Sequence, residues 1–170
     1  MAEATATRPT SEDEVLYDPL TGLPNRHLQR AHLVHALRRA KRTTSRVALL
    51  FLDIDDFHAI NERSGSEVGD QVLIEIAARL QACLRDTDLT ARLDGDEFVI
   101  VCEDLSEPAD VEVVTRRITD ALAAPLHIGS EVIEVRASIG SAVSGDDDRP
   151  GDLLTAADHV MTRIKRARRT

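Results

Sequence analysis

The 170-residue chain has almost no aromatic side chains: no Trp, one Tyr and three Phe. Tyr17, Phe51, Phe57 and Phe98 are too few and too scattered for a base-stacking platform, which needs aromatics interleaved with basic residues along a groove. Cysteine is equally scarce. Cys83 and Cys102 have no C-x-x-C companion, which excludes a zinc knuckle or a disulfide framework and leaves two small hydrophobes in a reducing compartment. Long apolar runs are missing too. Val47–Leu52 is the longest, far short of the about 20 residues that span a bilayer. Met1–Glu14 lacks the basic-then-apolar pattern of a signal peptide, so a cytoplasmic, soluble protein is expected. Positive charge is in deficit, with 21 Lys and Arg against 30 Asp and Glu and a formal charge of −9. That balance disfavours nucleic acid as a partner. It leaves open a small phosphorylated ligand whose charge is offset by a divalent cation.

The apolar share of 42% is enough for one domain with an aliphatic core. Residues 1–16 carry few large apolar side chains and read as a disordered tail or linker stub, leaving 17–170 as the folded domain. Asp18-Pro19-Leu20-Thr21-Gly22-Leu23-Pro24-Asn25-Arg26 is turn chemistry ending in an N-cap, Asn25. The spacing of Leu28, Ala31, Leu33 or Val34, Leu37 and Ala40 then predicts a helix to about Lys41. Arg46–Ile54 reads as a strand buried on both faces. A helix over about Glu67–Leu84 follows, then strands at Leu89–Leu93 and Phe98–Cys102 around Asp94-Gly95-Asp96-Glu97. Asp94-Gly95 predicts a tight hairpin turn with positive φ at both residues. A helix over Pro108–Ala124, an alternating strand through Ile133, Val135, Ala137 and Ile139, and a helix carrying Leu153, Ala157, Met161 and Ile164 complete the order.

Without its first and last helices this is β-α-β-β-α-β, the ferredoxin-like split unit. The expected fold is therefore α/β (α+β), a mainly antiparallel sheet flanked by helices, with the first strand and the first hairpin strand at its centre. That topology brings Asp53, at the end of the first strand, toward Asp96 and Glu97 in the hairpin. Clustered carboxylates suit a divalent cation, and oxygen-only ligands suit Mg²⁺ with substrate phosphates completing its shell. Asp at strand ends and in turns also serves local hydrogen bonding, so spacing leaves both readings open. His32 and His35 lack a third ligand and read as exposed helix residues. The Asp146-Asp147-Asp148 run reads as a solvated loop.

Taken together, several motifs in order resemble the GGDEF family of diguanylate cyclases. They are Asp18–Arg26, Asp53-Ile54-Asp55-Asp56-Phe57, Asn61, Gly69-Asp70, Ala91-Arg92-Leu93-Asp94-Gly95-Asp96-Glu97-Phe98, Ser138-Ile139-Gly140 and Ala157-Asp158. The resemblance implies a nucleotidyl-cyclase fold that binds one GTP per subunit and, as a homodimer, condenses two GTP into cyclic di-GMP. It implies two Mg²⁺ per subunit, held by Asp53, the Ile54 carbonyl and Asp96. Glu97 would support the metals or help deprotonate the attacking 3′-hydroxyl. Asn61 and Asp70 match guanine-reading positions, Phe57, His58 and Gly95 line the substrate, and Lys165 and Arg169 match the positions that hold the terminal phosphates. Arg85 and Asp88, an R-x-x-D just before the signature hairpin, match an inhibitory site for the product. A controlling sensor domain, separate from or missing in this chain, is also implied.

The sequence departs from the family pattern in places. Asp94 stands where the signature has its first glycine, His58 where a phosphate-contacting Lys is usual, and Ser66 in place of a frequent His. Thr162, Arg168 and Thr170 depart from the terminal-helix pattern. An added carboxylate near a triphosphate is costly unless it turns to solvent or joins the metal shell. Two functions therefore follow: an active cyclase, or a degenerate domain that binds GTP or, through Arg85 and Asp88, cyclic di-GMP as a regulatory module.

Overall fold

A computed structural model describes residues 16–168. The expected tail up to residue 15, and Arg169, lie outside the described residues. In chain order the elements are α1 (Arg26–Thr43), β1 (Arg46–Ile54), α2 (Phe57–Ser64), α3 (Ser66–Cys83), β2 (Leu89–Asp94), β3 (Glu97–Leu105), α4 (Asp110–Ala123), β4 (Leu126–Ile128), β5 (Glu131–Ile133), β6 (Ala137–Val143) and α5 (Pro150–Arg168).

The main sheet has the order β2-β3-β1-β6 and is antiparallel throughout. Its centre is β1 with β3, the second hairpin strand, whereas β2 lies at an edge. This corrects the expectation that the first hairpin strand is central. The physical reason is register: Asp53 pairs with Glu97, and Leu49 with Val101, so the strand returning from the hairpin is the one that meets β1.

The continuous apolar run of β1 is explained by burial on both faces. Leu50, Leu52 and Ile54 pack with Val72, Leu73 and Ile76 of α3 and Ile118 of α4. Leu49 and Phe51 pack with Leu33 and Leu37 of α1 and Leu153, Ala157 and Met161 of α5. The sheet is thus a central layer between two helix pairs, and the end of β1 is reached from α5.

Asn25 caps α1 as expected, its side-chain oxygen accepting from the amides of His27 and Leu28 at 2.9 and 3.2 Å. The first turn of α1 buries Gln29 rather than Leu28 or Ala31. His32 is also less exposed than expected. Its Nε2 lies 2.8 Å from Oε1 of Glu103, a β3 carboxylate only 3% exposed that also pairs with Arg39. Burial, reinforced by the charges of Arg39 and His35, holds the His32 imidazole below its ordinary pKa.

Three local expectations shift. The hairpin turn is Gly95-Asp96, with Asp94 still in β2 opposite Glu97, and of the expected pair only Gly95 has positive φ, at 42°. A register irregularity between Arg92 and Asp94 supplies the extra residue. The alternating run from Ile133 to Ile139 is two strands, because β5 pairs back on β4 around Gly129 and ends at Ile133 before β6 starts at Ala137. Helix α2 was not expected; it is short, and Gly65 (φ 90°) separates it from α3. Cys102 is buried, its thiol pushed up to about 12 chiefly by desolvation; Cys83 is half-buried with its thiol raised for the same reason, and neither is in a disulfide.

Candidate active site

The carboxylates meet at the end of the sheet. Asp53, 7% exposed, closes β1 on the face covered by α5, and its neighbours across the ladders are Glu97 of β3 and Ser138 of β6. Asp96 follows the turn glycine, and its carbonyl accepts from the Ile54 amide at 3.3 Å. The hairpin therefore delivers Asp96 and Glu97 beside Asp53 and Ile54 through main-chain pairing rather than through a flexible loop.

Electrostatics mark this as a crowded anionic site. Burial, then the charge of Asp53, raises the carboxyl of Asp96 above the ordinary range, with Lys165 and Arg92 opposing. Burial also raises Glu97, followed by the charges of Asp53 and Asp96, with Arg26 opposing and Asp158 adding to the shift. Lys165, on α5, makes an ion pair with Asp53. Beside it Arg168 donates to Asp55 at 3.1 Å and to the Ala137 carbonyl at 2.7 Å, and Ser138 donates to the other Asp55 oxygen at 2.7 Å. An open cavity of about 660 Å³ adjoins these groups, lined among others by Asp55, Thr119, Glu134, Arg136 and Lys165.

Two glycines set the spacing. A Cβ at Gly140 of β6 would stand 2.1 Å from the Met161 amide and 2.2 Å from the Ala157 carbonyl, so α5 lies directly on bare backbone there. A Cβ at Gly69 of α3 would stand 1.7 Å from Asn61 Oδ1. That absence lets α2 and α3 approach closely, bringing Asn61 next to Gly69 and the exposed Asp70. Asn61 Oδ1 is buried and has no hydrogen-bond partner, and Phe57 packs across the same junction.

The turn before α1 is tied to the hairpin. Asp18 accepts from the Thr21 amide at 2.8 Å, the Thr21 hydroxyl at 2.6 Å and Arg92 Nη1 at 3.0 Å, while Arg92 Nε donates to the Gly95 carbonyl at 2.9 Å. The Arg92 amide donates to the Pro24 carbonyl at 3.0 Å. Sequence reading placed Asp18 and Arg92 inside motifs but gave them no role. Their opposite charges flanking two turn segments were the available signal.

Other sites fall elsewhere. His58 is 86% exposed and lies 3.1 Å from Glu62, one turn along α2. Gly95 and Asp94 are exposed at the hairpin tip. Arg85 and Asp88 form the turn between α3 and β2, with the Arg85 amide donating to Asp88 at 3.1 Å. Burial raises the Asp88 carboxyl, against that hydrogen bond and the charges of Arg85 and Arg117.

A family model described as "Diguanylate cyclase, GGDEF domain" matches residues 15–170. The chain belongs to the GGDEF domain family. It is 40% identical over 151 residues to the bifunctional diguanylate cyclase/cyclic di-GMP phosphodiesterase MucR of Pseudomonas aeruginosa, covering 88% of this chain and 22% of MucR. Diguanylate cyclase TpbB of the same species is 38% identical over 155 residues, 90% of this chain and 36% of TpbB. The chain therefore spans about a fifth to a third of these relatives. A solved TpbB fragment comprising only the GGDEF domain superposes with a TM-score of 0.86, covering 89% of each chain at 38% identity. Diguanylate cyclase SiaD of P. aeruginosa, solved with its activator SiaC, superposes with a TM-score of 0.85 at 30% identity, covering 92% of this chain and 60% of SiaD. The fold expected from the sequence is thus the family's fold. No helix among the described residues is long and apolar enough to cross a membrane.

Proposed function

We propose that this domain condenses two GTP molecules into cyclic di-GMP, releasing two pyrophosphates, with each subunit of a homodimer presenting one GTP. The observation that carries this reading is the meeting of Asp53, Asp96 and Glu97 at one sheet end with Lys165 above them.

The donor set fits Mg²⁺. It is all oxygen, and burial and mutual repulsion of the carboxyls favour a cation between them. Among the described residues, no three Asp, Glu, His or Cys side chains converge to hold an ion alone. Mg²⁺ takes one or two carboxylates and finds its remaining oxygens on substrate phosphates and water. Asp53, the Ile54 carbonyl and Asp96 would hold two ions, with Glu97 in support. When bound, Mg²⁺ lowers the charge on the α-phosphate.

The chain itself does the rest. Asp70 and Asn61 read guanine, whose N1–H and N2–H₂ offer a carboxylate two donors that adenine does not, while Phe57 and Gly95 contact the nucleotide. Lys165 moves from Asp53 to the terminal phosphates, joined by Arg169; exposed and paired with Glu62, His58 adds little there. The 3′-oxygen of one nucleotide then bonds to the α-phosphorus of the other, and the α–β bridging P–O bond breaks. Pyrophosphate leaves, and Glu97 takes the hydroxyl proton. Holding the groups in line supplies much of the rate. Arg85 and Asp88 form a product site, where the guanidinium can fork onto guanine O6 and N7.

Incubation of the purified protein with GTP and Mg²⁺, followed by chromatography, tests the proposal. Cyclic di-GMP and pyrophosphate in a 1:2 ratio, as the reaction requires, and loss of product in Asp96→Asn are expected. GTP binding without product at high protein concentration would replace this reading with that of a receptor acting through Arg85 and Asp88.

A further inference from the structure

We propose that Arg168 is a positioning residue that sets where the Lys165 ammonium stands, a role that rests on the reading of Lys165 as a phosphate contact. The family pattern does not supply it; Arg168 is one of the departures in the terminal helix.

The argument begins with two periodicities. Asp53 lies in β1 and Asp55 just past its end, where the Asp55 amide still pairs with the Arg136 carbonyl; side chains two apart on extended backbone share a face, so both are presented toward α5, about 6.6 Å apart. Residues three apart on a helix share a face, so Lys165 and Arg168 are both presented toward β1, about 4.5 Å apart along α5. The two spacings differ by about 2 Å, which the long Lys and Arg side chains span, and both ion pairs form: Lys165 with Asp53, and Arg168 with Asp55. The second pair is the anchored one. Asp55 is 16% exposed, its other oxygen accepts from Ser138, and its own amide donates to the Arg136 carbonyl at 2.8 Å. Arg168 Nη1 also reaches the Ala137 carbonyl at 2.7 Å, so one guanidinium nitrogen joins α5 to the end of β1 and the start of β6.

The anchor matters to Lys165 because the two residues lie three apart on α5, so tying Arg168 to the sheet fixes the backbone from which the Lys165 stem extends. Its four-carbon stem adds rotamer freedom of its own. Arg168 ties this turn of α5 to the sheet and so sets the point from which the ammonium reaches Asp53 or, with nucleotide bound, the phosphates.

Calorimetric titration with the α,β-methylene analogue of GTP, whose bridge does not break, reads the effect without turnover. For a half-exposed ion pair the expected loss is about fivefold in affinity for Arg168→Ala and similarly for Asp55→Asn. The double variant is expected to be no worse than either single one, and Arg168→Lys to recover part of the affinity. In a Lys165→Met background Arg168→Ala is expected to add nothing, an epistasis that a general loss of stability would not produce. Unchanged affinity in Arg168→Ala, or a full additional loss on top of Lys165→Met, overturns the proposal. If Arg168→Ala fails to fold, Arg168→Lys and Asp55→Asn carry the same comparison. A protein that binds the analogue with this dependence yet makes no cyclic di-GMP refutes the cyclase reading and leaves the positioning role standing. A protein that makes product with Arg168→Ala unaffected refutes only the positioning role.

Discussion

The contact between Gly140 and α5 can be tested by adding a single methyl. In Gly140→Ala the new Cβ would stand 2.1 Å from the Met161 amide nitrogen and 2.2 Å from the Ala157 carbonyl oxygen. Both obstacles are helix backbone, which cannot rotate aside as a side chain would. Restoring ordinary contact, near 3.4 Å, requires α5 to move off β6 by about 1.3 Å. That face of α5 packs Leu153, Ala157 and Met161 against Leu49, Phe51 and Val99, so the move opens a seam in close-packed core. Overpacking of this kind costs about 1–3 kcal/mol, and a rigid backbone obstacle puts Gly140→Ala at the upper end. Urea unfolding at constant m is expected to show about 3 kcal/mol of destabilisation. The same shift carries Lys165, four residues beyond Met161, away from Asp53. A misplacement of about 1 Å can cost on the order of a hundredfold in turnover, so cyclic di-GMP formation is expected to fall more steeply than stability. A variant within 0.5 kcal/mol of the parent, with unchanged turnover, would refute the claim that bare backbone at 140 sets the height of α5.

Three further predictions rest on named contacts. For Asp18, burial opposes ionisation but is outweighed by hydrogen bonds from Thr21 and by Arg92, so its carboxyl is held below the ordinary value. Its stabilisation is thus complete above the unfolded value of about 3.9 and disappears as pH falls through the folded value. Asp18→Asn is accordingly expected to cost about 1–2 kcal/mol at pH 7 in urea titrations, with the gap closing below about pH 4 and a pH-independent gap refuting the assignment. Because Asp94 is exposed on edge strand β2 rather than in the turn, Asp94→Gly is expected to change the KM for GTP by no more than about threefold, and a tenfold gain would show that its carboxylate repels substrate. Arg85→Ala, at an exposed turn, is expected to leave the melting temperature unchanged and weaken cyclic di-GMP binding at least about tenfold by calorimetry, undiminished binding removing the product site.

How much of this was legible in the sequence depends on the range of the interaction. Asn25, the buried run of β1 and the last helix are read from neighbours within a turn or a strand, and the structure bears them out. The hairpin was placed correctly but its turn by one residue wrongly. Asp-Gly favours a turn with both residues at positive φ, yet pairing of Asp53 with Glu97 and of Asp94 with Glu97 leaves only Gly95 and Asp96 to make it. Tertiary pairing overrode turn propensity. The alternation through Ile133 and Ile139 misled for a similar reason, since a period of 2 survives across a break when both pieces face the same core. Glycines 69 and 140 were inside quoted motifs, but why they must lack a Cβ depends on α2 and α5 arriving from elsewhere in the chain. Asp55 and Arg168 were invisible as partners because 113 residues separate them.

These cases bear on the one departure that most threatened activity. The sequence reading set Asp94 in the signature turn, where an added carboxylate near a triphosphate is costly unless it turns to solvent or joins the metal shell. Because the turn begins one residue later, Asp94 closes β2 at the sheet edge, while burial and then the charges of Asp53, Asp96 and Asp158 raise Glu97. Opposite Glu97, the Asp94 carboxylate is exposed to solvent. The same register keeps Asp96 against the Ile54 amide and Glu97 beside Asp53. A signature with aspartate in place of its first glycine is therefore compatible with an intact carboxylate site, and the charge it adds lies at an exposed position where solvent screens it.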